Sequence, residues 1–163
     1  MPDLKPVSNH TRTQRYYLAA SQTIDVGDPV LLNSAGYVEL ATAASASLLG
    51  ICAEKITSST LGQAVVVFDD PDLEFEILAD DVAEAIQTAV NETHDLIVTS
   101  GVFLADLGAT ATNVIKVLAV NTNFDPLLDG ETIYGSSLAG NFVPPWNDKK
   151  KIRCKFALHQ KAN

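Results

Sequence analysis

Methionine occurs once in the 163 residues, tryptophan once and cysteine twice. Cys52 and Cys154 belong to no C-x-x-C pair, and neither has a histidine at ligand spacing. That excludes a zinc ribbon and a dithiol redox motif, and both thiols are expected as small buried apolar groups. No apolar run approaches the roughly 20 residues of a membrane-spanning helix. Met1 to Arg15 is polar, with Lys5, Arg12 and Arg15 and no apolar stretch of the kind a secretory leader needs. G-x-S-x-G, H-E-x-x-H, P-loop and G-x-G-x-x-G motifs are all missing. The three histidines, His10, His94 and His159, are scattered, and nothing in the sequence brings them together. Catalysis needs a positioned acid, base or nucleophile, so the expectation is a protein that is not an enzyme and carries no cofactor and no metal.

Basic residues are scarce in most of the chain, and their placement is informative. Residues 1–15 carry Lys5, Arg12 and Arg15 against Asp3, a net +2. Residues 149–163 carry Lys149, Lys150, Lys151, Arg153, Lys155 and Lys161 with no acid, a net +6. Between them Lys55 and Lys116 face nineteen acids, a net −17, and the whole chain stands at −9. An acidic body repels nucleic acid, and no aromatic platform interleaves with the C-terminal lysines, so nucleic acid is not an expected partner. The two basic ends either balance their own body or dock on an acidic surface.

What is present is a series of short strands and turns. With 47% apolar and 19% charged residues the chain is globular, and its length fits one domain with an extension. Residues 1–15, with Pro2 and Pro6, read as an extended N-terminal arm, and 16–163 as a single β-rich domain. Strands are expected at Tyr16 to Ala20, Val30 to Leu32, Tyr37 to Leu40, Leu48 to Ile56, Ala64 to Phe68, Leu96 to Val98, Val102 to Leu104 and Val114 to Val120. Leu73, Phe75 and Ile77 alternate with Glu74 and Glu76, the signature of a half-exposed antiparallel strand. Ile152, Cys154, Phe156 and Leu158 alternate with Lys151, Arg153 and Lys155, which places a basic stripe on a strand of fixed geometry. Asp80 to Val90 reads as the one short helix, with Asp81 and Glu84 as a capping box and Val82, Ile86, Ala89 and Val90 on one face. Asp69-Asp70-Pro71-Asp72 reads as a solvated acidic hairpin turn rather than a calcium loop, for it lacks EF-hand spacing. The segment Gly36-Tyr-Val-Glu-Leu, a small-residue loop and Leu48 to Ala53 is faintly echoed by Gly101-Val-Phe-Leu-Ala, Gly108 to Thr112 and Val114 to Ala119. The echo suggests two similar β-layers.

The most interface-like passage is Phe142-Val143-Pro144-Pro145-Trp146. Two prolines stiffen it, and tryptophan is enriched where binding energy concentrates. Trp146 either anchors a partner or caps the protein's own core.

Three passages resemble the capsid decoration, or cement, proteins of tailed bacteriophages. Ile24 to Glu54 holds a G-D-P turn, an apolar pair, a turn glycine, an Ala/Ser/Thr-rich loop and Leu-Leu-Gly-Ile-Cys-Ala-Glu. Gly62 to Phe68 is similar to the following G-x-x-V-x-V strand, and Ser100 to Val120 to the later half of such proteins. The resemblance covers about two thirds of the chain. It implies a small antiparallel β-barrel, tulip-like or sandwich domain, seated on the outer surface of an expanded capsid. The implied partners are the major capsid protein and further copies of the chain, a trimer before a dimer. The implied place is the virion, after synthesis in the bacterial host cytoplasm, with no membrane. On this reading the capsid or oligomer contacts expected are Arg12, Arg15, Tyr16, Trp146, Lys149, Lys151, Arg153 and Lys155. A different class of function, a head- or tail-associated host- or carbohydrate-binding module, calls for an exposed aromatic cluster.

Overall fold

The structure is a computed structural model that describes residues 4–6, 12–80, 87–120 and 151–160. Among these, eleven strands form two antiparallel sheets, and the mostly β expectation holds. The first sheet contains β2 (Thr13–Tyr17), β3 (Pro29–Leu32), β4 (Val38–Leu40), β5 (Gly50–Cys52) and β6 (Ala64–Phe68), in the order β2-β6-β5-β3-β4. The second contains β7 (Glu74–Leu78), β8 (Thr93–Thr99), β9 (Val102–Asp106), β10 (Ile115–Ala119) and β11 (Lys151–Phe156), in the order β7-β11-β10-β8-β9. A two-residue strand, β1 (Lys5–Pro6), lies on the outer edge of β7.

The two sheets are built alike. Laying β2 on β7, β3 on β8, β4 on β9, β5 on β10 and β6 on β11 maps each ladder of one onto a ladder of the other. Tyr16↔Val65 and Tyr17↔Ala64 become Ile77↔Ile152 and Leu78↔Lys151. Cys52↔Val67 becomes Val117↔Cys154, Val30↔Gly50 becomes His94↔Ile115, and Leu32↔Val38 becomes Leu96↔Ala105. Each sheet also curls until its last strand meets the residue that follows its first. The parallel bridges are Leu18↔Val38 and Ala79↔Ala105. Beside them the N–H of Ala19 donates to the Val38 carbonyl at 2.9 Å, and that of Asp80 to the Ala105 carbonyl at 2.9 Å. Even the entry into β3 and β8 matches. Gly27 (φ 96°) and Asn91 (φ 74°) both sit in the left-handed region, and their N–H groups donate to Cys52 and Val117 at 2.9 and 2.8 Å. Glycine and asparagine are the residues that tolerate that conformation at least cost.

Alternation decides which side of each strand is buried, because successive side chains point to opposite faces. Tyr16, Leu18, Val30, Val38, Leu49, Cys52, Val65 and Val67 fill the inside of the first sheet. At the matching positions of the second sheet, Ile77, Ala79, Ala105, Val114, Val117, Ile152 and Cys154 are buried too, and so is His94. The outward positions differ. Ile51, Leu31 and Phe68 on the first sheet join the core of the second, so β5 is covered on both faces. Gly50 on that strand has no room for a side chain: a Cβ would clash with the Phe68 carbonyl group. The counterparts of Leu31, Ile51 and Phe68 are Asp95, Lys116 and Lys155.

Several local expectations need correction. No helix runs to Val90: Gln87–Ala89 is one 3-10 turn, Val90 is a turn residue, and 81–86 lies outside the described residues. β2 begins at Thr13, so Thr13 to Arg15 are strand rather than arm, and Leu4 is fully buried in the second core. The Asp69–Asp72 turn joins β6 to β7, which lie in different sheets, so it is a crossover and not a hairpin. β8 is longer than Leu96 to Val98 because His94 and Asp95, two buried polar residues, break the apolar pattern by which it was recognised.

Candidate functional site

On β11, Lys151, Arg153 and Lys155 face outward while Ile152, Cys154 and Phe156 are buried. Phe156 stacks obliquely on Phe75, ring centres 4.7 Å apart, which holds β11 against β7. Register places Arg153 opposite Glu76 and Lys155 opposite Glu74, with Lys116 of β10 on the other side of Lys155. The carboxylates are used diagonally: Lys151 Nζ lies 3.5 Å from Glu76 Oε2, and Arg153 reaches Glu74 Oε2 at 3.9 Å. All four groups are partly exposed, so each pair contributes about 0–1 kcal/mol. The stripe does have fixed geometry, but it is half of a mixed-charge face and not a bare basic one. Leu158, expected on its apolar side, is half exposed because the strand ends at Phe156.

A second cluster gathers at the crossover. Asp69 is fully buried, and Arg12 donates from Nε to its Oδ1 at 2.9 Å and from a terminal nitrogen to its carbonyl at 3.1 Å. The Tyr16 hydroxyl donates to the other carboxylate oxygen. A buried carboxylate needs such donors, since losing water without replacement costs several kcal/mol. Burial, then the bond to Asp69, pushes the Tyr16 hydroxyl pKa up. His159 lies nearby with its pKa pushed down by burial, against the opposing effect of Asp69 and the Leu49 backbone. It belongs to a C-terminal segment tied to the first sheet by Gln160, whose side chain accepts from Leu32 N–H at 2.7 Å and donates to its carbonyl at 3.1 Å. Leu32, Asn33, Ser47 and Ala157 to Gln160 line a shallow open recess of ≈ 570 Å³.

The expected contact residues thus scatter. Arg15 is exposed on β2, and Arg12 is half exposed but occupied by Asp69. Tyr16 is only 9% exposed and points into the first core, so it is not an outward contact. Lys151, Arg153 and Lys155 share the mixed-charge face. Trp146 and Lys149, with the whole Phe142–Trp146 passage, lie outside the described residues, as does His10. Asp69 was expected as a solvated turn residue, and no local signal distinguishes it from Asp70 and Asp72. Its donors lie 57 and 53 positions away.

Asp95 is a further polar residue that its sequence context conceals. It is buried, and its carboxylate accepts from the backbone N–H groups of Ala111 at 2.8 Å and of Thr112 and Asn113 at 2.7 Å each. Burial alone would raise its pKa; the three backbone donors outweigh it and hold the carboxyl below its ordinary range. Its role is to fold the 109–113 loop over the second sheet. His94 is buried in that sheet, and neither ring nitrogen is hydrogen-bonded to any of the described residues. Both cysteines are free and buried as expected. Burial pushes the Cys52 thiol up to about 11 and the Cys154 thiol higher, which suppresses the reactive thiolate. Among the described residues no group of three His, Cys, Asp or Glu is placed to hold a metal.

Comparison with known proteins leaves the family open: no protein-family model matches the chain, and no curated protein matches it significantly.

Proposed function

We propose that the chain is a structural virion protein that binds the outer surface of a phage capsid and stabilises the expanded shell by bridging neighbouring major capsid proteins. The observation that carries this reading is where the resemblance to cement proteins falls. Ile24 to Glu54 spans β3, β4 and β5, Gly62 to Phe68 is β6 with its turn, and Ser100 to Val120 spans β9 and β10. The similar passages therefore take in framework strands of both sheets together with the turns that join them.

The physical case is multivalency. Packaged nucleic acid pushes outward on a thin shell, and a small rigid module holds it best by bridging subunits. Several linked copies raise avidity by about 10² to 10⁴ without new kinds of contact. Two interlocked cores give such rigidity, for Ile51 and Phe68 of one sheet are built into the core of the other. The test is copy number and position on a purified particle. Hundreds of copies at the symmetry axes of the shell, and earlier heat disruption when they are stripped, support the reading. A handful of copies at a tail, or glycan binding by the isolated chain, would overturn it.

A further inference from the structure

The outer edge of β7 is occupied twice. At its C-terminal end Ala79 bridges β9, and at its N-terminal half β1 adds as an antiparallel strand, with Lys5 opposite Glu76 and Pro6 opposite Phe75. Among the described residues the matching strand of the first sheet, β2, has only the first of these. Leu18 bridges β4, as Ala79 bridges β9. The positions that correspond to Phe75 and Glu76 are Gln14 and Arg15, and among the described residues no strand pairs with them on that side. The difference in cover is plain: Phe75 is fully buried and Glu76 partly so, while Thr13, Gln14 and Arg15 are exposed. An edge strand presents unpaired backbone N–H and C=O groups and readily takes an extended chain.

Charge indicates which chain. On β7 the edge residue is acidic, Glu76, and its register partner on the added strand is Lys5. On β2 the residue at that place is basic, Arg15, and it is exposed. We propose that the outer edge of β2, from Thr13 to Arg15, accepts an extended acidic segment of a partner protein as an added antiparallel strand, the charge-reversed counterpart of β1 on β7. The proposal specifies a surface and a partner chemistry, and it stands whether or not that partner is a capsid subunit.

The test uses the full chain, ¹⁵N-labelled, and two short capped peptides of alternating threonine and valine, one carrying central glutamates and the other lysines. The glutamate peptide is expected to shift the amide signals of Thr13, Gln14 and Arg15, and to protect from exchange those of Thr13 and Arg15, which point away from β6. Its affinity should exceed that of the lysine peptide about twofold to fivefold, the range for one opposite-charge cross-strand pair. Arg15→Glu, an exposed change checked for an unaltered thermal melt, should invert that preference. The proposal is overturned if neither peptide perturbs these amides, if the shifts map to another edge such as β9, or if Arg15→Glu leaves the preference unchanged. Self-association of the chain that disappears in Arg15→Glu would overturn it as well, by making a second copy the occupant.

Discussion

The two sheets share one topology and one set of ladders, yet only their inner faces are alike. Inward positions are apolar in both, apart from His94 and, at the exposed end of β2, Gln14, because each sheet curls around its own core. Outward positions follow the neighbour. Leu31, Ile51 and Phe68 meet the other sheet and are apolar, while Asp95, Lys116 and Lys155 at the matching places meet a loop or the surface. A strand pattern repeated twice can therefore serve two environments, since changing one face of a strand leaves the other face and the ladder in place.

The largest expected effect lies where the repeat is least symmetric. Gly50→Ala should destabilise the fold by about 3 kcal/mol, because backbone stands where the new Cβ must go. A urea unfolding curve reads this directly, and a loss under about 1 kcal/mol would mean that β5 is not clamped between two cores. Asp95→Asn comes next. Its amide would set one N–H donor against another at the loop, costing about 2–3 kcal/mol, as for hydrogen bonds to a charged group. The pH dependence follows from the lowered pKa of Asp95. Below an unfolded value of about 4 the unfolded chain binds more protons than the folded one. Stability from Asp95 is thus complete above that pH and lost as pH falls through the folded pKa. Acid titration of Asp95→Asn should lack this component.

His94→Val copies Val30 from the first sheet into the second. It removes a buried imidazole with no hydrogen bond to the described residues, and thermal unfolding should show a gain of about 1 kcal/mol. A loss instead would show that the second core needs the larger ring. The smallest effect is expected on the outer face, where a double-mutant cycle of Lys151→Ala and Glu76→Ala should give a coupling of about 0–1 kcal/mol. A larger value would make the mixed-charge face a structural element in its own right.

Much of this pairing can be read from the chain before folding. The echo between residues 36–53 and 101–119 identifies the right strands, β4 with β9 and β5 with β10. Its register is wrong, however. Aligning Gly36 with Gly101 sets Val38 against Phe103, whereas the ladders set it against Ala105, a slip of two that preserves the face. Aligning Leu48 with Val114 slips β5 by one, which reverses every side chain. The β8–β9 hairpin is longer than the β3–β4 hairpin, so turn glycines are a poor guide to the ladder. The candidate surface was legible only in part: the outward charges of β11 follow from alternation, but their carboxylate partners on β7 do not.

By itself the sequence determined period-two alternation, the turns and the acidic body, because these depend on neighbouring residues. Only the tertiary structure decided that the basic stripe faces Glu74 and Glu76, that Asp69 is buried while Asp70 beside it is only partly so, and that β1 covers one sheet edge while no described residue pairs with its counterpart. Each of those outcomes depends on groups far apart in the chain, which meet only once both cores have closed.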